Sequence, residues 1–345
     1  MSRFLNGLSD FFAQRPCCHD SFFVNLPLSV AVSRTTCMMM RLGTRKSPLA
    51  MAQAEIVCRQ LIKCHPDLEI EVVGITTHGD RIQNVPLAAV GGKGLFLKEI
   101  EEALLDGRID FAVHSMKDVP AQLARPFQIA AILERGNPLD AFVSTRFEEI
   151  DQLPHGARIG TSSPRRKAIL RGRYPHAEVL DLRGNINTRL THLAEGNFDA
   201  IILAAVGLER LELDDQIRQL MATEVMLPSA GQGAIGIECL RDETRVVESL
   251  QLLNHGPTRS CVDTERLISA QMGGSCYLPL GAFATINEQT SLDLKAVVGD
   301  PESGQLVFSH ATGSLDGGSE LARKVVEDLL HQGADEILQR VNAIE

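Results

Sequence analysis

The chain has 345 residues with a formal net charge of −10; it is 44% hydrophobic but only 4% aromatic. This length suggests two or three domains with cores of Leu, Ile, Val and Ala, and no apolar run reaches the ~18–20 residues that span a bilayer, so no transmembrane segment is expected. The eight cysteines form no CxxC and no His/Cys cluster at zinc spacing, which argues against metal and disulfide frameworks and for free thiols in a reducing compartment.

Residues 1–39 stand apart, irregular, poor in acids and running into three methionines. Arg3, Arg15 and Arg34 among many Ser/Thr faintly resemble an organellar transit peptide. A disordered extension, or a start misplaced ahead of Met38–Met40, is the reading favoured. From Arg41 onward short apolar strands alternate with amphipathic helices. "RLGT" reads as a strand, Pro48–Lys63 as a helix and "IEVVGIT" (70–76) as a strand. A helix near Leu95–Leu105 and strands at Ile109–Val113, Ile129–Leu133 and Ala141–Ser144 follow. The pattern restarts at "ARIGT" (157–161), with helices at Pro164–Arg173 and Asn187–Glu195 and strands at Glu178–Leu182 and Ala200–Leu203. "AIGIEC" (234–239) is a further strand, followed by a helix at Glu243–Leu253. In the last third, a helix at Thr258–Gln271 precedes three grouped strands near 280–286, 292–298 and 306–311. Helices at Ser319–Gln332 and Asp335–Val341 close the chain. The expected fold is two α/β units and a small C-terminal α+β domain with an antiparallel sheet.

Charge is unevenly spread. Between Arg158 and Arg189 eight Lys/Arg face only Glu178 and Asp181, a local +6 that leaves −16 elsewhere. An acidic protein with one basic segment suits a small polyanion better than a nucleic acid. Three helix starts point the same way. Ser47 and Ser163 precede Pro48 and Pro164 as caps before first-turn prolines, and Asn185 or Asn187 caps a third helix. Helix N-termini offer unpaired N–H groups to carboxylates and phosphates. Arg45, Arg165, Arg166, Arg183 and Arg189 add forked donors beside them. One such site is an ordinary cap with solvated arginines. Three of them in adjacent α/β units indicate a shared anion-binding cleft.

Asp118 in "HSMKDVP" follows the apolar strand "FAV", and strand C-termini are where open α/β sheets keep ligands. Beside Lys117 its carboxylate would stay ionised and could stabilise a cationic intermediate. "GQGAIG" (231–236) matches a dinucleotide fingerprint in form but lacks its strand–turn–helix context. "GGKG" (91–94) lacks the spacing of a P-loop and reads as a mobile loop holding Lys93 and, just beyond, Phe96. Cys276, in "GGSCYLPLG", has no partner cysteine or histidine in sequence. A buried turn thiol, a catalytic thiol with a distant base and a point of covalent attachment all remain open for it.

"RLGTRKSPLA", "VGGKGLFLKEIE", "DFAVHSMKDVP", "GTSSPRR", "LRGNINTRL", "GQGAIGIEC" and the "GGSC" loop, in this order over residues 40–345, closely resemble the porphobilinogen deaminase (hydroxymethylbilane synthase) family. The resemblance implies two periplasmic-binding-protein-like α/β domains, at 40–135 with 234–252 and at 136–233. A third, cysteine-bearing domain would occupy 256–345. It implies a dipyrromethane cofactor joined to Cys276 by a thioether, priming the head-to-tail addition of four porphobilinogens with loss of ammonia. Water would then release hydroxymethylbilane. Lys117, Ser162, Arg165, Arg166 and Arg183, with Asp118, would hold the cofactor. Arg45, Ser47, Thr161, Arg189 and Arg210 would hold substrate carboxylates. Asp118 would be the catalytic carboxylate, touching pyrrole N–H groups and assisting proton transfer. No metal, nucleic acid or membrane partner is implied, and the chain is expected to be a cytoplasmic monomer of bacterial type. Pro164 stands where many relatives have an aliphatic residue, with no expected loss of function, and Ser275 replaces a glycine of some relatives, giving a slightly less permissive turn. The competing readings are a two-lobed binding protein for small dicarboxylates and a thiol hydrolase using a histidine such as His255.

Overall fold

The computed structural model describes residues 38–81, 97–274, 278–288 and 290–344. Cys276, Lys93, Phe96 and residues 1–37 lie outside the described residues. The first strand, β1 (Met38–Arg45), starts three residues before the expected Arg41, because Met38–Met40 pair in register with Leu68–Ile70 and Met40 is buried.

Helix α1 (Pro48–Cys64) buries Ala50, Gln53, Ala54, Val57 and Leu61, a stripe at three- and four-residue spacing. Its start is fixed by Ser47, whose Oγ accepts from Ala50 N at 3.3 Å, and by Pro48 in the first turn. After β2 (Leu68–Ile75) come α2 (Lys98–Leu105), β3 (Phe111–Ser115) and β4 (Phe127–Ile132). The chain then crosses to a second sheet: β5 (Asp140–Val143), β6 (Arg158–Gly160), α3 (Pro164–Arg173), β7 (Glu178–Leu180), α4 (Ile186–Ala194), β8 (Ala200–Ala204), the short α5 (Ala205–Glu209) and β9 (Gln219–Met221). It returns for β10 (Ile235–Leu240) and α6 (Thr244–Gln251).

The two sheets have one plan. Their strand orders are β2-β1-β3-β10-β4 and β7-β6-β8-β5-β9. In each, the first three strands are parallel and the fourth is antiparallel to both its neighbours. That fourth strand is the first one laid down after a crossover, β5 going out and β10 coming back. The topology is that of the periplasmic-binding-protein type, with two α/β halves joined by two crossing segments, 133–139 and 222–234. Apolar clusters cover both faces of each sheet.

The remainder is a small α+β unit. Helix α7 (Gly256–Gln271) leads to the antiparallel strands β11 (Leu280–Ile286), β12 (Ser291–Gly299) and β13 (Leu306–Ser314), then to α8 (Gly318–His331) and α9 (Ala334–Ile344). Alternating β12 residues Leu292, Leu294 and Ala296 pack onto Leu321, Val325 and Leu329 of α8 in one core. Among the described residues, three short helices and strands were not anticipated from the sequence: a helical turn at His78–Arg81, α5 and β9. At four, five and three residues, they are too short to show a period.

Candidate functional site

Strand β3 ends at Ser115 and the backbone tightens into a single 3₁₀ turn, Met116–Asp118. Met116 is buried beneath the turn, and its N–H donates to Ala234 O at 3.0 Å, so the returning chain fixes the turn's base. Lys117 and Asp118 face a cavity of about 450 Å³ between the two sheets. On the same side as the turn stand Arg45, Ser47, Gln53 and Ser115. Opposite them are Ser162 and Arg166 at the start of α3, Arg183 to Arg189 around the start of α4, and Arg210.

All three expected caps form: Ser47 as above, Ser163 Oγ accepting from Arg166 N at 3.5 Å, and Asn185 Oδ1 accepting from Thr188 N at 2.9 Å. Of the two asparagines proposed for α4, Asn185 is the cap and Asn187 lies within the first turn. The helix starts bearing Ser47 and Asn185 border the cavity directly, as does Arg166 in the first turn of α3.

Among the described residues, six cations border the cavity, Arg45, Lys117, Arg166, Arg183, Arg189 and Arg210, against the one carboxylate of Asp118. Burial drives the Lys117 ammonium down to about 8; Asp118 and Asp140 oppose the fall, while Arg166 and Arg165 add to it. Burial, with repulsion from Arg166 and Arg183, brings Arg189 down to about 10, against the pull of Asp118. Burial likewise lowers Arg210 to about 10, and its Nη2 donates to Gly233 O at 2.7 Å. All three shifts have one sign: cations sit in a desolvated wall with too little negative charge around them. Carboxylates entering the cavity would relieve each of them.

Two expected ligands point elsewhere. Arg165 is buried beneath the wall, its Nη1 donating to Leu227 O at 2.6 Å and its Nη2 lying 2.8 Å from Asp140 Oδ2. That approach is off the angle of a hydrogen bond, so charge rather than a directed bond holds Oδ2. Thr161 is 1% exposed, and its Oγ1 accepts from Ser163 N at 3.2 Å. Neither residue lines the cavity. Arg166 does, though its Nη2 also bonds Asp140 Oδ1 at 2.7 Å and its Nη1 bonds Ile202 O at 2.8 Å. Ser162 Oγ donates to Leu182 O at 2.8 Å, tying the cap loop of α3 to the loop after β7.

Sequence reasoning missed Gln53 and Ser115. Gln53 is 3% exposed and its Nε2 donates to Ser115 Oγ at 2.7 Å, both at the cavity wall. A glutamine within the apolar stripe of α1 was the available signal. Among the described residues no cluster of three or more His, Cys, Asp or Glu is placed to hold a metal ion, and no helix is long and apolar enough to cross a membrane.

A cationic cavity with one carboxylate at a strand end meets a decisive sequence match. Residues 40–248 fit the family model "Porphobilinogen deaminase, dipyromethane cofactor binding domain", and residues 259–331 fit "Porphobilinogen deaminase, C-terminal domain". The chain belongs to the porphobilinogen deaminase family. The porphobilinogen deaminase of Neisseria meningitidis serogroup A is 47% identical over 300 residues, covering 87% of this chain and 96% of that one. The porphobilinogen deaminase of Nitrosomonas europaea is 46% identical over 297 residues, covering 86% and 96%. Among solved structures, the methionine-binding protein MetQ overlays with a TM-score of 0.41 and 12% identity, covering 62% of this chain and 89% of that one. Nothing about the site follows from so distant a likeness. As a porphobilinogen deaminase, or hydroxymethylbilane synthase, the chain is a transferase of tetrapyrrole biosynthesis, and its first family domain is the one that binds dipyrromethane. The donor set suits such a group, since its acidic side chains would meet the cations and the two capped helix starts that border the cavity.

Proposed function

We infer that the cavity between the two sheets holds the acetate and propionate groups of the pyrrole chain, and that Asp118 performs the chemistry. The observation that carries this reading is the charge pattern: one carboxylate at the end of a strand, ringed by six cations. The dipyrromethane, when bound through Cys276, supplies the pyrrole α-carbon to which porphobilinogen is joined. We assign three domains, 40–135 with 234–252, 136–233, and 256–345.

Each chain residue then has a task. Arg45 and Ser47 from one half, with Arg183, Arg189 and Arg210 from the other, bind carboxylates by charge-assisted hydrogen bonds. Lys117, Ser162 and Arg166 bind the acidic groups nearest the turn. Arg165 acts through Asp140, which it helps hold against Arg166, and Thr161 acts through the cap at Ser163. Asp118 accepts the substrate's pyrrole N–H. As the aminomethyl nitrogen leaves as ammonia, positive charge grows on that pyrrole nitrogen, and the fixed carboxylate stabilises it.

The substrate is porphobilinogen, handled by a cytoplasmic monomer without nucleic acid. The acidic net charge, with basic residues concentrated between 158 and 189, supports a small anionic ligand over nucleic acid. The intact mass of purified protein tests the reading. An excess equal to one dipyrromethane is expected, absent in Cys276→Ser. A bare polypeptide mass in protein that turns over porphobilinogen would overturn it.

A further inference from the structure

The turn that presents Asp118 is followed by "VPAQLARP", residues 119–126, which has no helix or strand hydrogen-bonding of its own. Its carbonyls need donors from elsewhere. One side chain supplies three. Arg266, on the cysteine-bearing unit, donates from Nη1 to Val119 O at 3.0 Å and from Nη2 to Pro120 O at 2.7 Å and Ala121 O at 3.2 Å. Burial lowers its pKa, with Asp263 opposing and Arg259 reinforcing.

The same helix grips the turn at a second point. Val262, one turn before Arg266, is fully buried in a cluster with Met116 and Val119, the residues on either side of the Lys117–Asp118 pair. Farther along, the helix ends at Gln271, and Gly273 and Gly274, both at positive φ, follow immediately before the segment that carries Cys276. A small second cavity lies in between, lined by Lys117, Val119, Arg266, Gly274 and Leu278. One rigid helix therefore leads to the cysteine and clasps the backbone that aims the carboxylate.

We propose that Arg266 is a positioning residue for the reaction: by holding the carbonyls of 119–121 it fixes Asp118 relative to the cysteine-bearing unit. The proposal rests on the reading of Asp118 as the catalytic carboxylate. A planar fork suits this task, since two nitrogens reach three acceptors in fixed directions. A shift of about 1 Å at such a group can cost ~100-fold in rate, so loss of the clasp is felt in turnover rather than in binding.

The test is a double-mutant cycle in the full-length, primer-loaded enzyme, combining Arg266→Ala with Asp118→Glu, which keeps a carboxylate one methylene farther out. Arg266→Ala is expected to keep the primer mass and to lower kcat about tenfold with KM changed less than about threefold. Arg266→Lys should recover part of that loss. In the Asp118→Glu background the carboxylate is already misplaced, so adding Arg266→Ala should lower kcat by less than about twofold. Losses that multiply would show that Arg266 acts independently of Asp118 and would overturn the proposal, as would wild-type kcat in Arg266→Ala. If Arg266→Ala does not fold, the cycle is read with Arg266→Lys under the same criteria. Wild-type turnover in Asp118→Glu alone would count against the catalytic reading of Asp118, a failure distinct from that of Arg266.

Discussion

Arg166 Nη2 meets Asp140 Oδ1 at 2.7 Å, and the same guanidinium stands in the wall of the cationic cavity. Asp140 opens β5, directly after the first crossing segment, and Gln232 of the second crossing donates to the same oxygen at 2.9 Å. The anchor of a ligand-facing arginine is thus also where the two crossing segments are tied. Burial alone would raise the Asp140 pKa, but Arg165 and Arg166 outweigh it and hold it at about 2.

Removing that carboxylate leaves two buried guanidinium groups without their counter-charge. Asp140→Ala should cost about 3–5 kcal/mol of stability, read from the urea midpoint. Asp140→Asn keeps an acceptor for Arg166 and should cost less. An alanine variant as stable as wild type would show that the arginines find other partners. Because the folded pKa lies below the unfolded value, this stabilisation is present above about pH 4 and is lost as pH falls towards about 2.

Asp118→Ala should fold, keep the primer and lose roughly 10²–10³-fold in kcat, the usual scale for one preorganised electrostatic group. Intact mass and ammonia release under saturating substrate measure the two halves of this statement. Turnover within a few fold of wild type would remove Asp118 from the mechanism.

Lys117 gives a pH dependence. With its pKa near 8 in the free protein, the ammonium is charged at neutral pH and is lost as pH rises through about 8. Affinity for carboxylate-bearing substrate, seen in kcat/KM, should fall across that range, and Lys117→Arg should flatten the limb. Stability runs the other way. The folded pKa is below the unfolded ~10.4, so the folded state binds fewer protons between about 8 and about 10.4 and gains stability as pH rises there. A kcat/KM profile flat from pH 7 to 9, in wild type and variant alike, would contradict the assignment.

Gly231 packs beneath the Asp118 turn at φ +72°, and a Cβ there would stand 2.9 Å from Met116 Cβ and 3.0 Å from the Met116 carbonyl carbon. Gly231→Ala combines an unfavourable backbone with pressure on the catalytic turn. It should cost about 1–3 kcal/mol of stability and lower kcat as well. Unchanged denaturation and turnover together would mean that the turn moves freely.

Much of this was legible in the sequence. Period-two and period-three-to-four patterns placed most of the strands and helices, because each buries one face. Ser47, Ser163 and Asn185 could be read as caps because a cap is a local device. The ordered motifs carried the family. The charge imbalance between 158 and 189 announced an anion site but not which cations serve it. Arg165 and Arg166 are adjacent in the sequence and look equivalent. Successive helical positions point about 100° apart, and tertiary packing turns Arg165 beneath the wall while Arg166 reaches the cavity. Gln53 became a wall residue only because α1 packs beside β3, where Ser115 meets it. The clasp of Arg266 on residues 119–121 spans about 145 positions and leaves no local trace. The sequence alone determined most of the elements, their caps and the family, since these depend on neighbours along the chain. Only the tertiary structure determined which arginines face the cavity and what holds Asp118 in place, since burial and long-range hydrogen bonds exist only once the sheets have met.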